Sequence, residues 1–282
     1  MLGKLIKHEL RATARIMLPV YGAVLALAVM ANISLRLLQN DLAPILEMLL
    51  GLILSAFGIG LFAAMAVTVV LLIRRFYMNY LKDEGYLMHT LPVSVHSLIW
   101  SKTIVSCLWI IATMLVCWLS MLTTALIQSG TALAELFEDF PTAQELVYSL
   151  NQVGISVQQL ELLGALMLAL LVVGSVVSCL QFYAAMSLGQ MFANNKVLLS
   201  VVFYLVINFA VSTLFTIVFS TAIGAIYAAG GEQALASYLD SASKSLDFFN
   251  TLLGFGLVFS LIEGVAFYLI TWLGLKKKLN LA

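Results

Sequence analysis

Long apolar stretches are the feature that most limits how this chain can fold. Residues 48–73 contain no charged side chain, and five further apolar stretches occur along the 282 residues. About 20 apolar residues are enough for a helix to cross the roughly 30 Å hydrocarbon core of a bilayer. Only 10% of the residues are charged, whereas soluble domains carry about 25%. We therefore predict an all-α integral membrane protein.

The apolar stretches predict six transmembrane helices, at residues 17–35, 45–73, 104–127, 160–192, 197–223 and 251–273. Residues 1–16 place leucine and isoleucine on one helical face and lysine and arginine on another. This pattern is typical of an amphipathic helix on the membrane surface. We expect residues 128–159 to form an outer loop. Residues 224–250 are too polar for a full span, so we expect an outer or re-entrant segment there. A single membrane domain over residues 1–282 is the simplest organisation.

The distribution of charge predicts the orientation. If the N-terminus is cytoplasmic, all basic residues except Arg36 and Lys244 lie on the cytoplasmic side. The acids on that side are then Glu9, Asp83 and Glu84, which gives a formal charge of +9 inside and −8 outside. Basic residues collect on the cytoplasmic side of membrane proteins, so we predict that both termini are cytoplasmic. Topology and membrane lipid explain this basic face without a nucleic-acid partner.

No catalytic motif is present in the sequence. The three histidines, His8, His89 and His96, match no metal-binding helix motif, and no Gly-x-Ser-x-Gly or Walker A sequence occurs. We therefore predict a non-enzymatic chain that binds no metal and no cofactor of its own. The three cysteines lie inside apolar stretches, where they are expected to act as small buried hydrophobic residues.

Three polar side chains fall inside the predicted spans. Glu263 is near the middle of the sixth span, where a carboxylate must face a wet cavity, pair with a partner, or be protonated. Gln181 and Asn208 lie in the fourth and fifth spans, and such amides more often join helices than line a path. The sequence leaves open whether these three residues serve a pathway or interhelical contacts. Our hypothesis is that Glu263 faces an internal cavity.

The element at residues 74–102, RRFYMNYLKDEGYLMHTLPVSVHSLIWSK, is a long polar interruption between the second and third spans. It is basic at both ends and carries the acidic pair Asp83 and Glu84. Acids on an otherwise basic face can fix the register of a partner, and Tyr86 and Leu87 can anchor it. The alternative is a solvated turn in which Asp83 caps a short helix.

This layout resembles the permease subunit of a bacterial type-2 ATP-binding-cassette exporter, of the kind whose ATPase is a separate polypeptide. The resemblance covers the whole chain, and its most specific parts are three short motifs. These are Asp83-Glu84-Gly85-Tyr86-Leu87, Thr90-Leu91-Pro92 and the C-terminal Lys278-Leu279-Asn280-Leu281.

The resemblance implies a cytoplasmic coupling helix between spans two and three that docks on the ATPase. The docking residues would be Tyr80, Asp83, Glu84, Gly85, Tyr86, Leu87, Thr90, Leu91 and Pro92. It also implies alternating access in a homodimer or heterodimer of permease subunits in the bacterial inner membrane, with ATP and Mg²⁺ on the ATPase. A peptide, a lipid-like molecule or a drug would suit an apolar pathway. A non-transporting sensor subunit and an ATPase-independent secondary carrier are the alternative interpretations.

Overall fold

The computed structural model describes residues 2–40, 43–81, 95–128, 143–192, 195–239 and 241–277. These described residues are helical apart from a few turn residues next to the helix ends, and they contain no strand. The helices are α1 (Leu2–Leu37), α2 (Pro44–Leu81), α3 (Val95–Gln128), α4 (Ala143–Gln152), α5 (Val157–Gly189), α6 (Lys196–Leu239) and α7 (Ala242–Lys277). All except α4 are long and apolar enough to cross a membrane. The prediction of an all-helical protein with six candidate spans is therefore confirmed for the described residues.

Several helices extend beyond the predicted spans. α1 runs without interruption from residue 2 to residue 37 and contains Pro19, so the predicted surface helix and the first span form one helix. Within the predicted segment 224–250, residues 224–239 form the end of α6 and residues 242–250 form the beginning of α7. Within the predicted outer loop, residues 143–152 form the short helix α4. Hydropathy predicts how much of a helix lipid can cover, but backbone hydrogen bonding decides how far the helix continues.

The chain divides into two compact units, Met1–Phe140 and Pro141–Ala282. In the first unit, α1 contacts both α2 and α3, and α2 also contacts α3. Its core contains Met17, Tyr21, Leu71 and Trp109 together with neighbouring aliphatic residues. α1 and α2 run antiparallel, because residues near the start of α1 contact the end of α2.

The small residues Ala56, Gly60 and Ala64 follow one another at four-residue spacing on α2, and part of this stripe packs inside the unit. A Cβ atom on Gly60 would lie 2.6 Å from Leu27 Cδ1 of α1, so the glycine permits the close approach of the two helices. Ala64 is buried, whereas Ala56 is exposed. Two of the three small residues therefore serve the interior of the unit.

In the second unit, α5 contacts both α6 and α7, and α6 contacts α7. A Cβ atom on Gly189 would lie 2.7 Å from the backbone nitrogen of Ser200, so only glycine permits α5 to end this close to α6. At the other end of α5, Ser156 and Gln159 form a reciprocal capping box. Gln159 Nε2 also donates to Asp247 Oδ1 on α7 at 2.7 Å, which joins α5 to α7.

Candidate functional site

A cavity of about 440 Å³ lies among α5, α6 and α7, and we name it the three-helix cavity. Its polar lining consists of Gln181 on α5, Asn208, Ser212 and Thr216 on α6, and Ser260 and Glu263 on α7. Its apolar lining consists of Leu170, Val211, Phe215, Gly256 and Phe259. The three polar residues singled out inside the predicted spans therefore share one cavity.

Glu263 is the only acidic residue among the described residues that line this cavity. Its Oε1 atom is buried and has no hydrogen-bond partner in the described part of the chain. A carboxyl group inside a span is costly unless it meets water, a partner or a proton. The cavity supplies space beside this group for a ligand or for water.

Aromatic rings form part of the cavity wall. The rings of Phe215 on α6 and Phe259 on α7 meet edge to face, with their centroids 5.3 Å apart. Phe255 extends this cluster along α7, with its centroid 6.2 Å from that of Phe215. Aromatic faces carry partial negative charge and attract cations. The combination of rings, amides, hydroxyls and one carboxyl group suits a small amphipathic ligand, and the volume lies within the usual range of about 300–1,000 Å³ for such sites.

The predicted docking residues fall almost entirely outside the described residues. Tyr80 belongs to the last turn of α2. The structure does not describe residues 82–94, which contain the other docking residues, Asp83, Glu84, Gly85, Tyr86, Leu87, Thr90, Leu91 and Pro92. The C-terminal motif after residue 277 is also outside the described residues. Their docking role stays a prediction.

The first unit contains a cluster of ionised side chains whose residues come before and after residues 82–94 in the sequence. Lys102 Nζ of α3 donates to Glu9 Oε1 of α1, and Arg75 Nη1 of α2 lies 3.4 Å from Glu9 Oε2. Glu9 and Lys102 are only 7% and 4% exposed. We name these three residues the ion cluster. The sequence predicts Arg75 and Lys102 only as cytoplasmic charges, and the one signal of their pairing is Glu9, the single acid among the basic residues at positions 1–16.

Hydrogen bonds of hydroxyl groups also connect α1, α2 and α3. Trp109 Nε1 donates to Thr13 Oγ1 at 2.7 Å. The Tyr21 hydroxyl shares a 2.8 Å hydrogen bond with Thr113 Oγ1, and Thr113 Oγ1 lies 2.9 Å from Thr68 Oγ1. These bonds connect α1, α2 and α3 where lipid offers no alternative partner. The α1–α3 bundle is therefore fixed by directed bonds as well as by apolar packing.

The described helices define a multi-pass membrane protein. No group of three or more His, Cys, Asp or Glu side chains among the described residues could hold a metal ion. Cys107, Cys117 and Cys179 are buried and form no disulfide with one another. Comparison of the chain with models of protein families, with curated proteins and with solved structures gives no match.

Proposed function

We propose that the chain is the membrane-spanning subunit of an ATP-driven exporter in the bacterial inner membrane. The observation that carries the proposal is the three-helix cavity, where Oε1 of Glu263 has no hydrogen-bond partner among the described residues and the side chain lines space between candidate membrane helices. Polar groups inside membrane helices are costly and are commonly found on substrate or ion pathways. The resemblance of the sequence to exporter permeases is the reason for proposing outward transport driven by ATP hydrolysis.

In this proposal the cavity binds the transported molecule and alternates between the two sides of the membrane. A separate ATPase binds ATP and Mg²⁺, and its closure is transmitted through residues 80–92. The ion cluster supports this role, because Arg75 on α2 and Lys102 on α3 are both held by Glu9 of α1. A displacement of the segment between α2 and α3 would therefore move three helices together. A second permease subunit, identical or different, completes the pathway.

The test is the purification of the tagged chain in mild detergent from the cells that naturally produce it. We expect an ATPase to co-purify with the wild-type chain. The double variant Asp83→Lys/Glu84→Lys should reduce its yield roughly tenfold or more, because like charges facing each other across an interface cost several kcal/mol. The co-purified ATPase is quantified by mass spectrometry.

The matched control is Glu138→Lys/Asp139→Lys, which reverses an adjacent acidic pair in the predicted outer loop. This control should leave the yield of ATPase unchanged. Retention of the ATPase by the Asp83/Glu84 variant would reject the docking residues but not the exporter. The absence of any ATPase from the wild-type preparation would reject the exporter itself.

Glu263 also favours a second candidate function, an ATPase-independent secondary carrier. Membrane-embedded carboxyl groups in carriers bind protons or coupling cations, and the orphan Oε1 atom offers such a site. The two candidates separate when the purified chain is reconstituted alone into vesicles. Transport driven by an imposed ion gradient supports the carrier, whereas dependence on an added ATPase and ATP supports the exporter.

A further inference from the structure

A second concave surface lies between α1 and α2 of the first unit, and we name it the α1–α2 groove. Its volume is about 800 Å³. Arg74 and Arg75 of α2 and His8 of α1 lie at one end, while Ile16 of α1 and Ala66 and Val67 of α2 lie at the other. The groove is therefore basic at one end and apolar at the other.

The length of the groove follows from helix geometry. Ile16 is eight positions after His8 along α1, and Arg74 is eight positions after Ala66 along α2. At 1.5 Å per residue this is about 12 Å on each helix. The two helices are antiparallel, so the basic residues of both lie together and the apolar residues of both extend toward the middle of the spans. This arrangement matches a lipid headgroup followed by the upper part of an acyl chain.

Among the described residues that line the basic end, Arg74 and Arg75 outnumber the one carboxylate, Glu9. Buried Lys102 pairs with the Glu9 carboxylate from the side of α3, and Arg75 contacts it while its own side chain remains 26% exposed. Arg74 is exposed and makes no ion pair with the described residues. One carboxylate is therefore shared by two cations, and Arg74 adds a third positive charge at the same end.

We infer that the α1–α2 groove binds one anionic phospholipid, with its phosphate group at Arg74 and Arg75 and one acyl chain along Ile16, Ala66 and Val67. Guanidinium groups suit a phosphate because they offer two parallel donors in a planar fork. Basic pockets between membrane helices bind anionic headgroups in this way. The apolar end of the groove favours a phospholipid over free phosphate, because free phosphate has no acyl chain to bury there. This inference does not depend on the exporter proposal.

The test is native mass spectrometry of the full-length chain, titrated in detergent with dioleoylphosphatidylglycerol or dioleoylphosphatidylcholine. We expect one tightly retained phosphatidylglycerol, and Arg74→Gln should weaken its binding roughly tenfold through the loss of a charge-assisted hydrogen bond. The control Arg11→Gln removes an exposed cation of α1 that does not line the groove, and it should leave this binding unchanged. Arg74→Lys keeps the charge without the planar fork and should have an intermediate effect.

The apolar half of the groove has its own matched pair of variants. Ala66→Trp fills the apolar end of the groove and should prevent retention of the lipid while Arg74 and Arg75 remain in place. Ala63→Trp adds the same side chain at an exposed position of α2 outside the groove, and it should bind lipid like the wild type. Circular dichroism checks that each variant is folded.

Three results would overturn the inference. Equal retention of the two phospholipids would remove the role of the basic end. Equal weakening by Arg74→Gln and Arg11→Gln would indicate diffuse attraction instead of a site. A lipid-free dimer that Ala66→Trp dissociates would assign the groove to a second copy of the chain.

Discussion

Glu263 and Asp247 are two acids on α7 with opposite surroundings. Asp247 Oδ1 accepts a hydrogen bond from Gln159 Nε2 at 2.7 Å, whereas the buried Oε1 of Glu263 accepts none from the described residues. A buried polar group left without a partner costs about 1–3 kcal/mol. Proteins tolerate such costs mainly at functional sites. A comparison of the two acids therefore separates a functional residue from a structural one.

We expect Glu263→Leu to raise the midpoint of thermal unfolding in detergent, because it removes an unsatisfied group worth about 1–3 kcal/mol. Asp247→Leu should lower the midpoint, since Gln159 Nε2 loses its charged acceptor at 2.7 Å and keeps only Ser243 on α7. Fluorescence-monitored melting of the purified variants measures both changes. A lower midpoint for Glu263→Leu as well would show that Glu263 holds the helices together and is not a residue of a pathway.

At the scale of the helices, the ion cluster connects α1, α2 and α3 through one carboxylate. Removing one partner of a buried ion pair typically costs about 3–5 kcal/mol, because the remaining charge stays buried. We expect Lys102→Met to lower the unfolding midpoint by a corresponding amount. The double variant Glu9→Gln/Lys102→Met should recover much of the loss, since it also removes the buried charge of Glu9, for which the more exposed Arg75 at 3.4 Å is a weaker partner than Lys102.

Lys244→Met is the control for this cycle, because Lys244 is an exposed basic residue of the second unit. It should leave the midpoint unchanged. If Lys102→Met melts like the wild type, the buried pair does not stabilise the helices. If the double variant is no better than Lys102→Met alone, the two side chains are not energetically coupled.

The same helices explain what could and could not be predicted from the sequence. The six candidate spans follow from composition within each stretch, which is a local property. Hydropathy does not report the backbone hydrogen bonds that decide where a helix ends. It therefore does not predict that α1 is continuous across residues 16 and 17 or that α6 extends to residue 239. Glu9 and Lys102 are far apart in the sequence, so their pairing requires the packing of α1 against α3.

The candidate site shows the same division. Glu263, Gln181 and Asn208 stand out one by one as polar residues inside apolar stretches. Their convergence on one cavity depends on how α5, α6 and α7 are rotated about their axes, and periodicity is weak in helices that are apolar on all sides. The α1–α2 groove cannot be predicted from the sequence for a similar reason, because its two halves lie on separate helices.

At the scale of the whole molecule, the proposals depend on orientation. Docking on a cytoplasmic ATPase requires residues 82–94 to be cytoplasmic, and six spans then place both termini on that same side. The predicted charge difference, +9 inside and −8 outside, is the argument for this orientation. Because the native thiols are buried, they can be replaced by alanine to give a background for single-cysteine labelling.

We expect a membrane-impermeant maleimide to label Asn151→Cys in intact cells, because this exposed residue lies in the predicted outer segment. Arg11→Cys and Lys276→Cys are also at exposed positions and should react only after permeabilisation. Labelling is read as a mass shift on gels. Labelling of only one of Arg11→Cys and Lys276→Cys in intact cells would mean that an odd number of helices cross the membrane. One of the six candidate helices would then not span it. Inverted labelling of all three positions would place residues 82–94 outside the cell, where no cytoplasmic ATPase could reach them.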